Sequence, residues 1–333
     1  MSSAATLTDY AELLGPAEAG TLEGNAWQVW NKAGAGQAKD RLGALNLLTP
    51  ATILQARDEI QKGIRVQLDW SLENLDVALA NRQKLVQKVI DYYQVNGKYV
   101  HDDVLTFNTQ IGSQWDGFGH YAEQSTGTFY NNVKYAEIAP SKNEFLGIHN
   151  WCNSGGIVGR GVLLDYVHYR EARGLELPDP WTRHEVPIAE LDQVAAFQNV
   201  TFKPGDILLV RLGFVRRYEQ ASPKERQEAM DRKPCAAIGI QANEQSRDWL
   251  WNHHFSAVAG DTLTFEAYPF DSTGIVLHEY LLPRFGMPIG EMFNLEQLSE
   301  VCKAEKRWEF FFTSAPLNVP GGFASPPNAI AVL

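Results

Sequence analysis

The sequence predicts a mixed fold, α/β or α+β, and three observations carry that reading. Short apolar runs rich in β-branched residues, bounded by Gly or Pro-Gly, read as buried strands. Between them lie segments with helical spacing and helix-start residues. The two kinds of signal interleave along the chain, with no internal repeat and no low-complexity tract.

In chain order, Thr49-Pro50 supplies a cap and an N1 proline, and Ile53, Leu54, Ala56 and Ile60 continue a helix to a stop at Gly63. Residues 64–70 then alternate like a strand. If the next informative segment, from residue 110, is extended, the period-two alternation puts Gln110, Gly112, Gln114 and Asp116 on one face and Ile111, Ser113 and Trp115 on the other. Gly117 and Gly119 follow, so the backbone can turn and bring His120 back toward Asp116. Two amides, a carboxylate and an imidazole would converge there.

Residues 156–165 and 207–213 suit buried strands, and residues 308–313 a late one. Helical patterns fall at 187–197, 222–232, 242–253 and 295–306. The G-x-x-G-x-G run from Gly156 to Gly161 invites a phosphate-loop reading. It matches neither the Walker loop nor the dinucleotide fingerprint, and a strand follows it where those motifs need a helix. The turn is therefore read as structural, with Arg160 pairing with a carboxylate in the core or at a subunit contact.

The chain has 333 residues, 44% hydrophobic and 21% charged, enough to bury a large core in one domain or two intimate lobes. A net charge of −11 without a compensating Lys/Arg run argues against nucleic acid and anionic membrane surfaces as partners. The first residues lack the basic start and apolar stretch of a secretory signal, and no apolar run reaches the ~18 residues of a spanning helix, so a cytoplasmic protein is expected. Cys152, Cys235 and Cys302 are far apart and odd in number, which suits reduced thiols used for packing.

Six of the eight histidines lack metal-like spacing: His253 and His254 end a predicted helix, and His101, His149, His168 and His184 are assigned to ordinary hydrogen bonding. Trp115, Phe118 and Tyr121, with Phe129 and Tyr130, cluster around the 110–120 segment and are candidates for an aromatic substrate pocket, core packing being the alternative. Arginine is scarce between residues 83 and 160, so nothing in that stretch argues for a strongly anionic substrate.

Residues 110–120, Gln-Ile-Gly-Ser-Gln-Trp-Asp-Gly-Phe-Gly-His, resemble the H-x-G-T-H-x-D-x-P-x-H signature of the metal-dependent cyclase and arylformamidase family, which includes bacterial kynurenine formamidase. Gly112, Asp116 and His120 match it, and Ser113 replaces Thr. Gln110 and Gln114 stand where the signature has two metal-binding histidines, and Phe118 where it has Pro. Residues 41–50, 156–165, 204–213 and 259–262 resemble further blocks of the longer members in the same order, as do Leu277-His278-Glu-Tyr-Leu-Leu282 and Gly290-Glu291.

The resemblance implies a layered β/β/α fold around a twisted, barrel-like sheet, with one catalytic domain over residues 40–333 and residues 1–39 as an N-terminal arm. It also implies that Asp116, His278 and Glu291 bind a divalent metal, that His120 is the general acid/base beside Asp116, and that the chain forms a homodimer or higher homo-oligomer. The expected reaction is hydrolysis of a C–N or C–O bond in a small amide, lactam or lactone. Two alternatives stay open: cyclisation or dehydration of a small, secondary-metabolite-like carbonyl compound, and non-catalytic binding of a small molecule.

The glutamines allow three readings of the metal. They could join an oxygen-rich Mn or Mg site, or leave one metal (Mn, Zn or Mg) on Asp116, His278 and Glu291 while they bind substrate. In the third reading the site works without metal.

Overall fold

The computed structural model describes residues 7–14, 21–31, 39–75, 77, 82–138 and 144–333. Residues 1–6, 15–20 and 32–38 of the predicted N-terminal arm lie outside the described residues. Its described parts place Tyr10, Leu22, Trp27 and Trp30 in the main hydrophobic core, where the Trp27 and Trp30 indoles donate to the carbonyls of Pro283 and Phe285 at 2.7 and 2.8 Å.

The strands are β1 (Arg65–Gln67), β2 (Val86–Asp91), β3 (His101–Thr106), β4 (Gln114–Asp116), β5 (Ile157–Asp165), β6 (Glu185–Val186) and β7 (Ile207–Arg211). They continue with β8 (Gly239–Ile240), β9 (Ala257–Gly260), β10 (Ile289–Glu291), β11 (Glu309–Ser314), β12 (Ala324–Ser325) and β13 (Ala329–Val332). Nine of them form one strongly curled half-barrel sheet in the order β1-β13-β11-β5-β7-β9-β10-β4-β12. Its centre, β5-β7-β9-β10, is parallel, and both flanks are antiparallel.

The central strands are buried at nearly every position, which is why β5 and β7 read as continuous apolar runs without alternation. Helices cover the sheet. Helix Ile188–Gln198 ends on Asn199 in the left-handed conformation, helix Pro223–Met230 starts with a Ser222/Glu225 capping box, and Asn243 caps Glu244–Asn252. Helix Glu296–Glu305 accounts for the last predicted helical segment.

Three predicted elements are shorter than their sequence patterns. The Thr49-capped helix spans Pro50–Ala56 and tightens into a 3₁₀ turn at Arg57–Glu59, and the strand expected over 64–70 is β1 alone. The 110–116 segment is extended only from Gln114. Before it, the Asn108 side chain accepts from Gln110 N at 2.8 Å and its carbonyl from Ile111 N at 3.0 Å, which turns the chain.

The β2–β3 hairpin was not visible as a pair in the sequence, and it projects with nearly all of its residues exposed. Arg160 occupies the position expected of it: its guanidinium bonds Glu59, Asp206 and Glu309 at 2.9, 2.7 and 3.1 Å.

Candidate active site

The site is built where β4 and β10 pair. Their antiparallel register sets Glu291 opposite Gln114 and Ile289 opposite Asp116. Residues two apart on a strand share a face, so Gln114, Asp116 and Glu291 project from the same side of the sheet. Trp115 points to the other side, opposite Gly290, where a Cβ would lie 3.0 Å from its ring and 2.6 Å from Ala259. Beyond β4, Gly117 lets the backbone pass under Phe323, whose carbonyl accepts from Gly117 N at 2.8 Å. A turn closed by His120 N donating to Gly117 O then returns His120 toward Asp116.

His278 comes from the helical segment Leu277–Glu279 and reaches the same point. Its Nδ1–H donates to Glu266 Oε2 at 2.7 Å, and its backbone N–H donates to the other oxygen at 3.0 Å. That fixes the tautomer and leaves Nε2 facing Glu291 Oε1 at 3.1 Å and Asp116 Oδ2 at 3.7 Å. Tyr121 and Phe270 pack on the imidazole, with ring centroids 5.4 and 5.1 Å away. One ligand atom each from Asp116, His278 and Glu291 lies within 4.8 Å of the others, and all three residues are buried.

The glutamines sit beneath this cluster. Gln110 Nε2 donates to Asp116 Oδ1 at 2.6 Å and lies 3.2 Å from His120 Nδ1. Gln114 Nε2 donates to Glu291 Oε2 at 2.7 Å and to Gln110 Oε1 at 2.6 Å. Both ends of Gln110 are thus engaged within the protein, and its expected role as a metal ligand is not what this geometry offers. Gln114 keeps Oε1 without a partner, and so does Asp116 with Oδ2.

A buried carboxylate oxygen and a buried amide oxygen left unsatisfied beside His278 Nε2 fit a divalent cation, which would take the place of the Nε2 proton, because buried oxygen acceptors left unsatisfied are costly unless a cation or water joins them.

The charges respond to this crowding. Burial disfavours a charged imidazole at His278, yet Glu266, with Asp116 and Glu291, outweighs burial and holds its pKa well above the usual value. Burial, helped by the nearby Asp116 charge, pushes Glu291 up to about 7 against the pull of His278. Asp116 stays below the ordinary carboxylate range because His120, His278 and Gln110 together overcome its burial. At His120 burial lowers the pKa, with His278 and Arg82 in the same direction and Asp116 opposing, so the ring is neutral at neutral pH.

His120, Tyr121, His278 and Glu291 open onto a cavity of about 470 Å³ whose remaining wall includes Met230, Cys235, Leu263, Tyr268, Phe270 and Arg82. His120 Nε2 stands 3.9 Å from Asp116 Oδ2. Two candidate pocket aromatics are elsewhere. Trp115 lies in the core against Phe293 and Phe312, on the far face of β4, and Phe118 is buried against Tyr130 and Trp151.

Cys235, expected to serve packing alone, is part of the cavity wall. Sequence reasoning missed Glu266 and Arg82. Glu266 sits four residues past the 259–262 block with no motif spacing of its own, and Arg82 lies one position before the arginine-poor stretch.

Fold and site together define an enzyme of the cyclase type. The family described as "Putative cyclase" matches residues 32–267, and the chain belongs to it. A solved structure of a novel cyclase superposes with a TM-score of 0.79 at 29% identity, covering 93% of this chain and 99% of that one. Isatin hydrolase A from Labrenzia aggregata shares the fold at a TM-score of 0.56 and 13% identity, covering 83% of this chain and 94% of that one. The Ralstonia solanacearum enzyme of the same name does so at 0.56 and 16%, covering 85% and 97%. No curated protein sequence matches the chain significantly. Among the described residues no helix is long and apolar enough to cross a membrane.

Proposed function

We propose that this protein is a divalent-metal-dependent hydrolase that opens the C–N or C–O bond of a small aromatic amide, lactam or lactone. The observation that carries the reading is the convergence of Asp116, His278 and Glu291 within 4.8 Å, facing a cavity that His120 also lines. When bound there, a divalent cation supplies a Lewis acid that polarises a carbonyl and lowers the pKa of a water toward ~7.

The protein's own part is distributed over named atoms. Asp116 Oδ2, Glu291 and His278 Nε2 provide the donor set, with Gln114 Oε1 beside it. Glu266 orients His278 through Nδ1. Gln110 Nε2 donates to His120 Nδ1, which leaves the Nε2–H of the neutral ring facing the cavity, where it gives its proton to the leaving nitrogen or oxygen as it regains one from the attacking water. Tyr121, Tyr268 and Phe270 flank the reacting group and keep bulk water away from it.

Elemental mass spectrometry on protein purified without added metal tests this, together with turnover of isatin, formanilide and dihydrocoumarin. About one Mn, Zn or Fe per chain, lost in Asp116→Ala along with hydrolysis, is the expected result. A metal-free protein that gains neither metal nor hydrolysis on supplementation overturns it in favour of metal-free cyclisation, dehydration or simple binding.

Self-association is also part of the proposal. It is supported by the β2–β3 hairpin, which leaves Val86, Val89, Val104 and Leu105 about half exposed.

A further inference from the structure

We propose that Arg82 is an anion anchor and that the substrate is an aromatic amide or lactam already carrying a carboxylate. The inference rests on the hydrolase reading of the same cavity and names the substrate class within it. Arg82 is half-buried and lines the cavity together with His120, Tyr121, His278 and Glu291. Its Nη1 donates to the Gln110 carbonyl at 3.0 Å, and among the described residues no carboxylate lies within 4.0 Å of its guanidinium. Other half-buried arginines behave differently: Arg170, Arg216, Arg284 and Arg307 each stand within 4.0 Å of a carboxylate.

A guanidinium offers five donors in a planar fork, and removing it from water without an anion is costly. Arg82 uses one donor and presents the remainder to the cavity. Around it the wall is aromatic and aliphatic, from Tyr121, Tyr268, Phe270, Leu263 and Met230. A planar ring with one carboxylate satisfies both features, the ring against the aromatic wall and the carboxylate on the fork.

Gln110, whose carbonyl Arg82 holds, bonds Asp116 with its side chain and lies 3.2 Å from His120 Nδ1, so the anchor stands close to the reactive groups. A carboxylate held there would place a scissile group on the neighbouring ring position beside His120. It would also neutralise the positive charge of Arg82, which no carboxylate of the described residues meets within 4.0 Å.

The test compares 2-aminobenzoate with aniline, which differ by one carboxylate, by titration calorimetry on the wild type, Arg82→Lys and Arg82→Met. The wild type should prefer 2-aminobenzoate, and Arg82→Met should weaken it by roughly tenfold to a hundredfold relative to aniline. Arg82→Lys should fall between, since it keeps the charge and loses the fork. Repeating the titration in Asp116→Ala separates capture by Arg82 from capture by a metal, and the preference should persist there.

An equal response of the two ligands to Arg82→Met, or no binding of 2-aminobenzoate to the wild type at millimolar concentration, overturns the anchor. Kinetics with formanilide and 2-formamidobenzoate keep the two proposals apart. Hydrolysis indifferent to the carboxylate removes the anchor and leaves the hydrolase, whereas Arg82-dependent binding without hydrolysis removes the hydrolase and leaves the anchor.

Discussion

Glu266 governs the site at one remove, because its carboxylate holds both the backbone N–H and the Nδ1–H of His278. Removing the charge while keeping the shape, as in Glu266→Gln, should loosen the imidazole and make Nε2 a poorer donor. Metal affinity should then fall ~10- to 100-fold, read by competition with a fluorescent chelator; unchanged affinity would mean that His278 is held by packing alone. His120→Ala makes a different prediction. Turnover should drop by ~10²–10⁴ while metal content and melting temperature stay at wild-type values, because His120 contributes a proton path and no donor atom to the cluster. At this scale the sequence exposed Asp116, His120, His278 and Glu291 through their local motifs. It could not expose Glu266 or Arg82, whose roles depend on which side chains the folded chain brings alongside them. The aromatic neighbours of the motif show the same limit: Trp115 and Phe118 lie within two residues of Asp116, and strand alternation and the turn at Gly117 carry them into the core.

At the scale of elements, legibility followed burial. β5 and β7 lie in the parallel centre, so their apolar runs and Gly or Pro-Gly borders were visible directly. The 110–116 strand was overdrawn because alternation of residue types says nothing about the Asn108 turn that bends its first half. The hairpin was missed because Val-Gln-Lys-Val-Ile-Asp has no buried face to impose a pattern.

Arg160 offers an element-scale prediction. It ties the 3₁₀ turn Arg57–Glu59, β5, β11 and the loop before β7 through three carboxylates, and it also donates to the Thr201 carbonyl at 3.2 Å. Arg160→Met leaves those carboxylates facing one another with little solvent. The expected cost is about 3 kcal/mol or more in denaturant unfolding, with activity per folded molecule retained. A change of less than ~1 kcal/mol would place this cluster with ordinary surface pairs.

For the whole molecule, the curled sheet brings β4 and β10, separated by some 170 residues of chain, into register and so creates the site. The same topology leaves the segment between Arg82 and Gln110 as a projecting β2–β3 hairpin. Its base is closed by Asn108 N donating to Gln83 O at 2.9 Å and by Arg82 donating to Gln110 O at 3.0 Å. A two-stranded hairpin standing alone in water is marginal, and this one exposes Val86 and Val104 on one face and Val89 and Leu105 on the other. A second copy of the chain covering one of those faces would stabilise the hairpin and brace the two residues at its base. Replacing Val89 and Leu105 together by Lys should therefore lower the mass seen by light scattering from dimer or larger to monomer. Because Arg82 and Gln110 flank the hairpin, the monomer should also bind 2-aminobenzoate more weakly. A wild type that is monomeric at micromolar concentration, or a double variant with unchanged mass, would remove the hairpin from assembly and leave its exposed apolar residues unexplained.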